Sequence, residues 1–296
     1  MATDTHATPN LSRYFVPAPS AWPFCLTIAL ILTVYGVSGY LEDRAIPTTA
    51  LICAGAALGI FIIFSWFRGV AMESEHGMYN EQVSRTYRWG MSWFIFSEVM
   101  FFAAFFGALF YARTLSVEWL GGAGEKGFIT NSILWPHFDA AWPTNGPGHV
   151  GGAFEIVSPW KLPLVNTCLL LTSSVTITMA HHALKAAHRR ACILWMLVTI
   201  ALGATFLYCQ ATEYMEAYKE LNLTLGSGVY GSTFFMLTGF HGLHVTLGTI
   251  MMISITGRLL FGHFKPESHF GFEGVAWYWH FVDVVWVGLF IFVYIL

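Results

Sequence analysis

The sequence predicts an all-α integral membrane protein with seven transmembrane helices, and three observations carry this prediction. Only 10% of the 296 residues are charged and 56% are hydrophobic, whereas soluble globular domains are about 25% charged. Ten-residue segments of alternating hydrophobicity, typical of membrane β-barrels, do not occur in the sequence. Seven apolar runs approach or exceed the ~20 residues that a helix needs to cross a bilayer: Trp22–Tyr40, Thr48–Phe67, Trp89–Tyr111, Pro163–Ala183, Ala191–Thr212, Val229–Ile255 and Val275–Leu296.

The first two runs differ in polarity from the later five. Runs 1 and 2 contain no Asp, Glu, His, Lys or Arg, and run 2 carries Gly55 and Gly59, whose spacing lets another helix approach closely. Runs 3–7 contain nearly all the intramembrane polar residues. We therefore predict a two-helix pair and a five-helix bundle with a lipid-holding groove between them. The predicted segments are a polar N-terminal segment 1–21, helices 1–2 in 22–67, an inner loop 68–88, and helices 3–7 in 89–296 with a long outer loop 112–162.

The positive charges predict the orientation. Most of the 14 Lys and Arg residues lie on the side of the N-terminus, and positive residues favour the inner side of a membrane. The N-terminus is therefore expected inside and the C-terminus outside. The outer loop 112–162 is rich in Gly, Pro and Trp, and we expect it to be ordered.

Several function classes are excluded by composition and motifs. A net charge of −3 without a basic block argues against a nucleic-acid partner. The five cysteines form no C-x-x-C pair, and the sequence contains no P-loop, dinucleotide-binding or nucleophile-elbow motif. We assign no catalytic residue and no metal ligand from these patterns.

Five ionisable residues lie deep inside the predicted helices, where such residues are rare and are candidate functional sites. At 1.5 Å per residue, four of them fall roughly 8–14 Å from the inner boundary and could form one buried polar layer. They could be metal or haem ligands, a proton pathway, or polar residues that only pin helix packing. The remaining polar residues near helix ends, such as Glu213 and His181, are expected to reach the membrane surface. The five candidates are Glu98, His241, His244, His280 and Asp283.

Long strings in runs 3–7 resemble cytochrome c oxidase subunit III. They include SEVMFFAAFF, QATEY, GVYGSTFFMLTGFHGLHVTLG and HFGFEGVAWYWHFVDVVW, and the similarity extends more weakly through WFRGVAMESEHG. The resemblance implies a haem-copper oxidase subunit III of bacterial aa3 type, with seven helices split two plus five around bound phospholipids. It implies a subunit that binds no cofactor itself and packs with subunits I and II, which hold haem a and copper and receive electrons from cytochrome c.

The resemblance also implies roles for individual residues. Glu98 matches a carbodiimide-reactive glutamate, and Arg258 matches an arginine that contacts a phospholipid. Arg68, at the end of run 2 on the same side of the membrane, is the expected second lipid-binding residue across the groove. The family often has an arginine immediately before the acid that Glu73 matches, and Met72 stands there in this chain. The long outer loop and both early helices favour a cytochrome c oxidase of a bacterial inner membrane. The alternatives are a mitochondrial inner membrane, a quinol oxidase subunit, a self-contained redox enzyme, or a transporter or proton channel.

Overall fold

The computed structural model describes residues 15–266 and 268–296, and it confirms seven helices long and apolar enough to cross a membrane. Most of the predicted N-terminal segment 1–21 lies outside the described residues. The helices are α1 Trp22–Leu41, α2 Thr48–Glu75, α3 Glu81–Tyr111, α4 Val117–Leu120, α5 Gly124–Leu134, α6 Leu162–Lys185, α7 Arg189–Lys219, α8 Gly228–Phe261 and α9 Phe270–Leu289. Short π-helical turns, Ala112–Ser116 and Phe290–Ile295, continue α3 and α9.

The helices extend beyond the apolar runs that predicted them. The predicted inner loop 68–88 is mostly helical, since α2 continues to Glu75 and α3 begins at Glu81. The side chain of Asn80 accepts a hydrogen bond from the backbone N–H of Val83 (2.9 Å), as a helix cap does. The length of an apolar run reflects the thickness of the hydrocarbon core of the membrane. The helical backbone hydrogen bonds continue beyond that run into the polar residues on either side.

The chain forms two compact units, one ending at Tyr87 and the other spanning Arg88–Leu296. In the first unit α1 and α2 pack as the predicted pair. Gly55 permits their contact, because a Cβ there would lie 2.8 Å from the backbone oxygen of Ala29. The groove predicted beside this pair stays a prediction.

The second unit is built around Trp279, which is completely buried on α9. Its ring lies against Gly203 of α7 and Gly248 of α8, where an added Cβ would approach ring atoms to 2.9 Å and 2.8 Å. The indole N–H donates a hydrogen bond to Ser173 Oγ of α6 (2.9 Å). One side chain thus joins four helices, and its size requires glycine on two of them.

The two ends of this second unit carry different loops. The short-loop face carries residues 186–188, 262–266 and 268–269, and the long-loop face carries residues 112–161 and 220–227. On the long-loop face the N–H of Glu155 donates to the carbonyl of Leu221 (2.9 Å). The ring of Phe154 stacks on that of Tyr230 with centroids 5.5 Å apart. The long loop is therefore held on the turn between α7 and α8.

Candidate functional site in the helix bundle

Glu98 of α3 and His244 of α8 form a hydrogen-bonded pair. Their Oε2 and Nε2 atoms lie 3.0 Å apart, and the two side chains are 23% and 10% exposed. Aromatic rings surround the imidazole, with Phe102 at 5.0 Å and Phe101 at 6.0 Å between ring centroids. The depth estimate from the sequence put both residues in one layer, and the structure places them in contact.

The hydrogen on His244 Nδ1 determines which atoms can donate in the contact between His244 and Glu98. His244 Nδ1 lies 2.6 Å from the backbone oxygen of Phe240. A carbonyl oxygen only accepts hydrogen bonds, so Nδ1 carries a hydrogen. The contact between Nε2 and Glu98 then needs one proton, which resides on the carboxyl or on the ring. A hydrogen bond here therefore has either the protonated carboxyl of Glu98 or the protonated ring nitrogen of His244 as its donor.

His241, one turn before His244, is completely buried and has different partners. Its Nε2 atom donates to the backbone oxygen of Val282 (3.1 Å). Its ring packs on Trp286 with centroids 5.0 Å apart. Nδ1 is buried with no hydrogen-bond partner in the part of the chain that is described. These contacts tie α8 to α9.

His280 and Asp283 lie together on α9 beside Ser174 of α6. Ser174 Oγ and His280 Nδ1 are 2.6 Å apart, and Thr178 Oγ1 lies 3.4 Å from His280 Nε2. Asp283 interacts with Ser174 as well as with His280. The Oδ1 atom of Asp283 is buried without a partner among the described residues. The candidates thus occupy three places, and no described hydrogen bond joins one place to another.

The possibility of metal ligands was also left open by the sequence. Within residues 15–266 and 268–296, no group of three His, Cys, Asp or Glu side chains is arranged to hold a metal ion. The two residues of the pair Glu98–His244 contact each other directly.

A second buried carboxyl was missed by the sequence reasoning. Glu213 of α7 was expected to reach the membrane surface, and this expectation is wrong, because Glu213 is only 1% exposed. Its Oε1 atom accepts hydrogen bonds from the hydroxyl of Tyr294 (2.6 Å) and from Gln210 Nε2 (3.3 Å). Gln210, three residues earlier, was the only local signal, since Tyr294 lies at the far end of the chain.

The short-loop face carries two further polar contacts that the sequence did not predict. His181 and His269 bring their Nε2 atoms to 3.2 Å. Arg88 forms an ion pair with Glu273 at 3.0 Å. Both contacts join residues that are more than 80 positions apart.

The two arginines assigned to lipid binding lie in different units. Arg68 is exposed on α2. Arg258 is half-buried in the last turn of α8, and its guanidinium carbon lies 4.6 Å from the centroid of the Phe264 ring. Glu73 accepts a hydrogen bond from the hydroxyl of Tyr79 (2.7 Å). Burial, reinforced by hydrogen bonding with Tyr87 and Glu73, raises the pKa of Tyr79.

Comparison with known proteins identifies the family. The family described as cytochrome c oxidase subunit III matches residues 12–126 and 125–296. "Cytochrome c oxidase subunit 3" of Papio hamadryas is 38% identical over 288 residues, covering 97% of this chain and 98% of the relative. The proteins of the same name from Tragelaphus oryx and Equus caballus are each 37% identical over 295 residues, covering 99% of this chain and 98% of each relative. The chain therefore belongs to the cytochrome c oxidase subunit III family and is a multi-pass membrane subunit of an oxidase complex.

Proposed function

We propose that this chain is the accessory, non-redox subunit of a proton-pumping cytochrome c oxidase. In this role it stabilises subunit I, binds structural phospholipids and supports proton uptake. Haem a and copper reside in the partner subunits, and electrons arrive from cytochrome c through the complex. The hydrogen-bonded pair Glu98–His244, in a chain of the cytochrome c oxidase subunit III family, is the observation that carries the proposal.

The geometry of this pair suits a proton-holding role without redox chemistry. His244 Nε2 and Glu98 Oε2 lie within hydrogen-bond distance, and both side chains are partly exposed at the surface of the second unit. The contact of Nδ1 with the Phe240 carbonyl orients the imidazole so that Nε2 faces the carboxyl. Such a group holds or releases a proton while the surrounding helices stay in place.

Removing the chain from the purified oxidase tests the proposal. We expect the haem spectrum to be unchanged, proton uptake to slow, and activity to be lost after fewer turnovers. The physical reason is that the partner loses both a proton-holding group and a packed helical surface. Turnovers before inactivation would be counted from oxygen consumption. Reconstitution with the purified chain is the control and should restore the original number.

An enzyme that lacks the chain and survives as many turnovers as the complete complex would contradict the stabilising role. Loss of haem from the remaining subunits would contradict the proposal that this chain carries no redox centre. In that case the chain itself would have to be examined for a chromophore.

Phospholipid binding is proposed for Arg258 and, separately, for Arg68. Headgroup phosphates are attracted by cations at the membrane surface. The ring of Phe264 holds the guanidinium of Arg258 near the end of α8. We expect Arg258→Ala to lower the phospholipid that co-purifies with the complex, measured by mass spectrometry. Arg113→Ala, on the long-loop face, is the control, and equal lipid in both variants would refute the assignment.

We further propose a bacterial inner membrane, with the N-terminus inside and the C-terminus outside. The distribution of Lys and Arg supports this orientation.

A further inference from the structure

Four buried polar side chains form a hydrogen-bonded network towards the long-loop face of the second unit. Asn166 of α6, Gln210 and Glu213 of α7, and Tyr294 in the last turn of the chain are each at most 7% exposed. Asn166 Nδ2 lies 3.4 Å from Gln210 Oε1, and Gln210 Nε2 lies 3.3 Å from Glu213 Oε1. These contacts connect three separate segments of the chain, and we call them the Glu213 network.

The two oxygens of the Glu213 carboxyl have different surroundings. Oε1 accepts hydrogen bonds from the hydroxyl of Tyr294 (2.6 Å) and from Gln210, whereas Oε2 is buried with no partner among the described residues. In an ionised carboxylate both oxygens are acceptors that attract donors. In a carboxylic acid one oxygen is a carbonyl, which accepts, and the other is a hydroxyl, which donates. The distribution of donors around Glu213 fits the acid, with the hydrogen on Oε2.

The same network contains a buried acceptor that lacks a donor. Asn166 is completely buried, and its Oδ1 atom has no partner in the described part of the chain. Buried side-chain oxygens usually have a hydrogen-bond partner. The amide nitrogen of Asn166 already contacts Gln210, which is also the neighbour of Glu213. Asn166 Oδ1 is therefore the acceptor that the network offers to a hydrogen on Glu213 Oε2.

The charges around Glu213 also favour a neutral carboxyl. Among residues 15–266 and 268–296, no Lys, Arg or His forms an ion pair with Glu213. Lys161, which precedes α6, instead lies 4.0 Å from Glu216, one turn later on α7. A carboxylate that is buried in a membrane helix without a cation is costly. One bound proton removes that charge.

We propose that Glu213 binds a structural proton on Oε2 and donates it to Asn166 Oδ1. This single proton satisfies both of the unpartnered oxygens. The resulting hydrogen bond joins α6 to α7 beside the contact that holds the last turn of the chain. The inference goes beyond the proposed function, which assigns proton handling to the pair Glu98–His244 and gives Glu213 no role.

Infrared difference spectroscopy of the purified oxidase tests the protonation of Glu213. A carboxylic acid and a carboxylate absorb at different stretching frequencies. We expect Glu213→Gln to lose a carboxylic-acid band relative to the natural complex. Glu216→Gln is the matched control, since Glu216 lies one turn away and pairs with Lys161, so this variant should lose carboxylate bands instead. Loss of carboxylate bands in Glu213→Gln would overturn the proposal.

Replacing the acceptor tests the hydrogen bond itself. Asn166→Leu keeps the approximate size of the side chain and removes Oδ1. We expect the carboxylic-acid band of Glu213 to shift to higher frequency in this variant, because its O–H group loses the acceptor. Thr172→Val is the control, since the Thr172 hydroxyl is on the same helix and donates to the carbonyl of Cys168, outside the network. An unshifted band in Asn166→Leu would refute Asn166 as the acceptor.

The stability of the complex provides a measurement that does not depend on the spectrum. In Glu213→Gln the amide oxygen accepts from Tyr294 and the amide nitrogen donates to Asn166, so the pattern of a carboxylic acid is kept. Glu213→Leu leaves these buried groups without a partner. We expect Glu213→Gln to keep the thermal unfolding midpoint and Glu213→Leu to lower it by several degrees. Equal losses in the two variants would contradict the proposed acid.

Discussion

Replacing Glu98 with glutamine is expected to abolish labelling of the chain by a hydrophobic carbodiimide, while electron transfer to oxygen is largely kept. Carbodiimides react with carboxyl groups through a proton that the carboxyl supplies. The pair Glu98–His244 provides a carboxyl that can carry that proton, and 23% of its side chain is exposed to a reagent dissolved in the membrane. Labelling would be measured by mass spectrometry of the intact chain and of its peptides.

Glu213→Gln is the matched control for this prediction. Glu213 is another intramembrane carboxyl, but it is 1% exposed, so the reagent cannot reach it and its removal should leave labelling unchanged. His244→Phe should alter the rate of labelling at Glu98, since the partner that shares the proton is gone. Labelling that persists in Glu98→Gln, or a near-total loss of oxygen reduction in that variant, would contradict our interpretation of the site.

Gly248→Val is expected to destabilise the chain severely. A Cβ at this position would lie 2.8 Å from the ring of Trp279. The ring cannot withdraw, because Gly203 lies against its other edge and Ser173 accepts its N–H. Overpacking of a core costs about 1–3 kcal/mol or more, and here four helices meet at one side chain. The thermal unfolding midpoint of the purified complex and the yield of the chain in it would be measured.

Gly257→Val is the control that separates the effect of the steric clash from the effect of a changed helix propensity. Gly257 lies on the same helix, and no atom lies within 4 Å of the Cβ that it would gain. This variant carries the same change in propensity without the clash and should behave like the natural chain. Combining Gly248→Val with Trp279→Phe should recover part of the lost stability, since a smaller ring leaves space. Equal midpoints for the two valine variants would show that the contact with Trp279 does not limit stability.

The sequence alone determined the fold class and the division of the helices. A run of about 20 apolar residues is stable in the hydrocarbon core of a membrane as a helix, because a helix satisfies its backbone hydrogen bonds internally. The long strings in runs 3–7 were sufficient to indicate the family. Helix ends were less well predicted, since helices such as α2 and α7 continue into polar residues that hydropathy does not count.

The partners of the polar residues were decided only by the tertiary structure. The rise of a helix gives the depth of a residue, so Glu98 and His244 could be placed in one layer from the sequence. Their contact also depends on the rotation of α3 and α8 about their axes, which depth does not constrain. In the same way, the rotation of α6 and α9 about their axes turned His280 towards Ser174 and left it half-buried.

Glu213 shows most clearly which contacts could not be predicted from the sequence. Its position near the end of an apolar run indicated a residue at the membrane surface, yet it is buried against Tyr294, which is 81 residues away. No periodicity in the sequence relates two such positions, because their contact follows from how α7 and the end of the chain pack against their neighbours. The sequence thus determined which residues enter the membrane and how deep, and packing of the helices decided which of them meet.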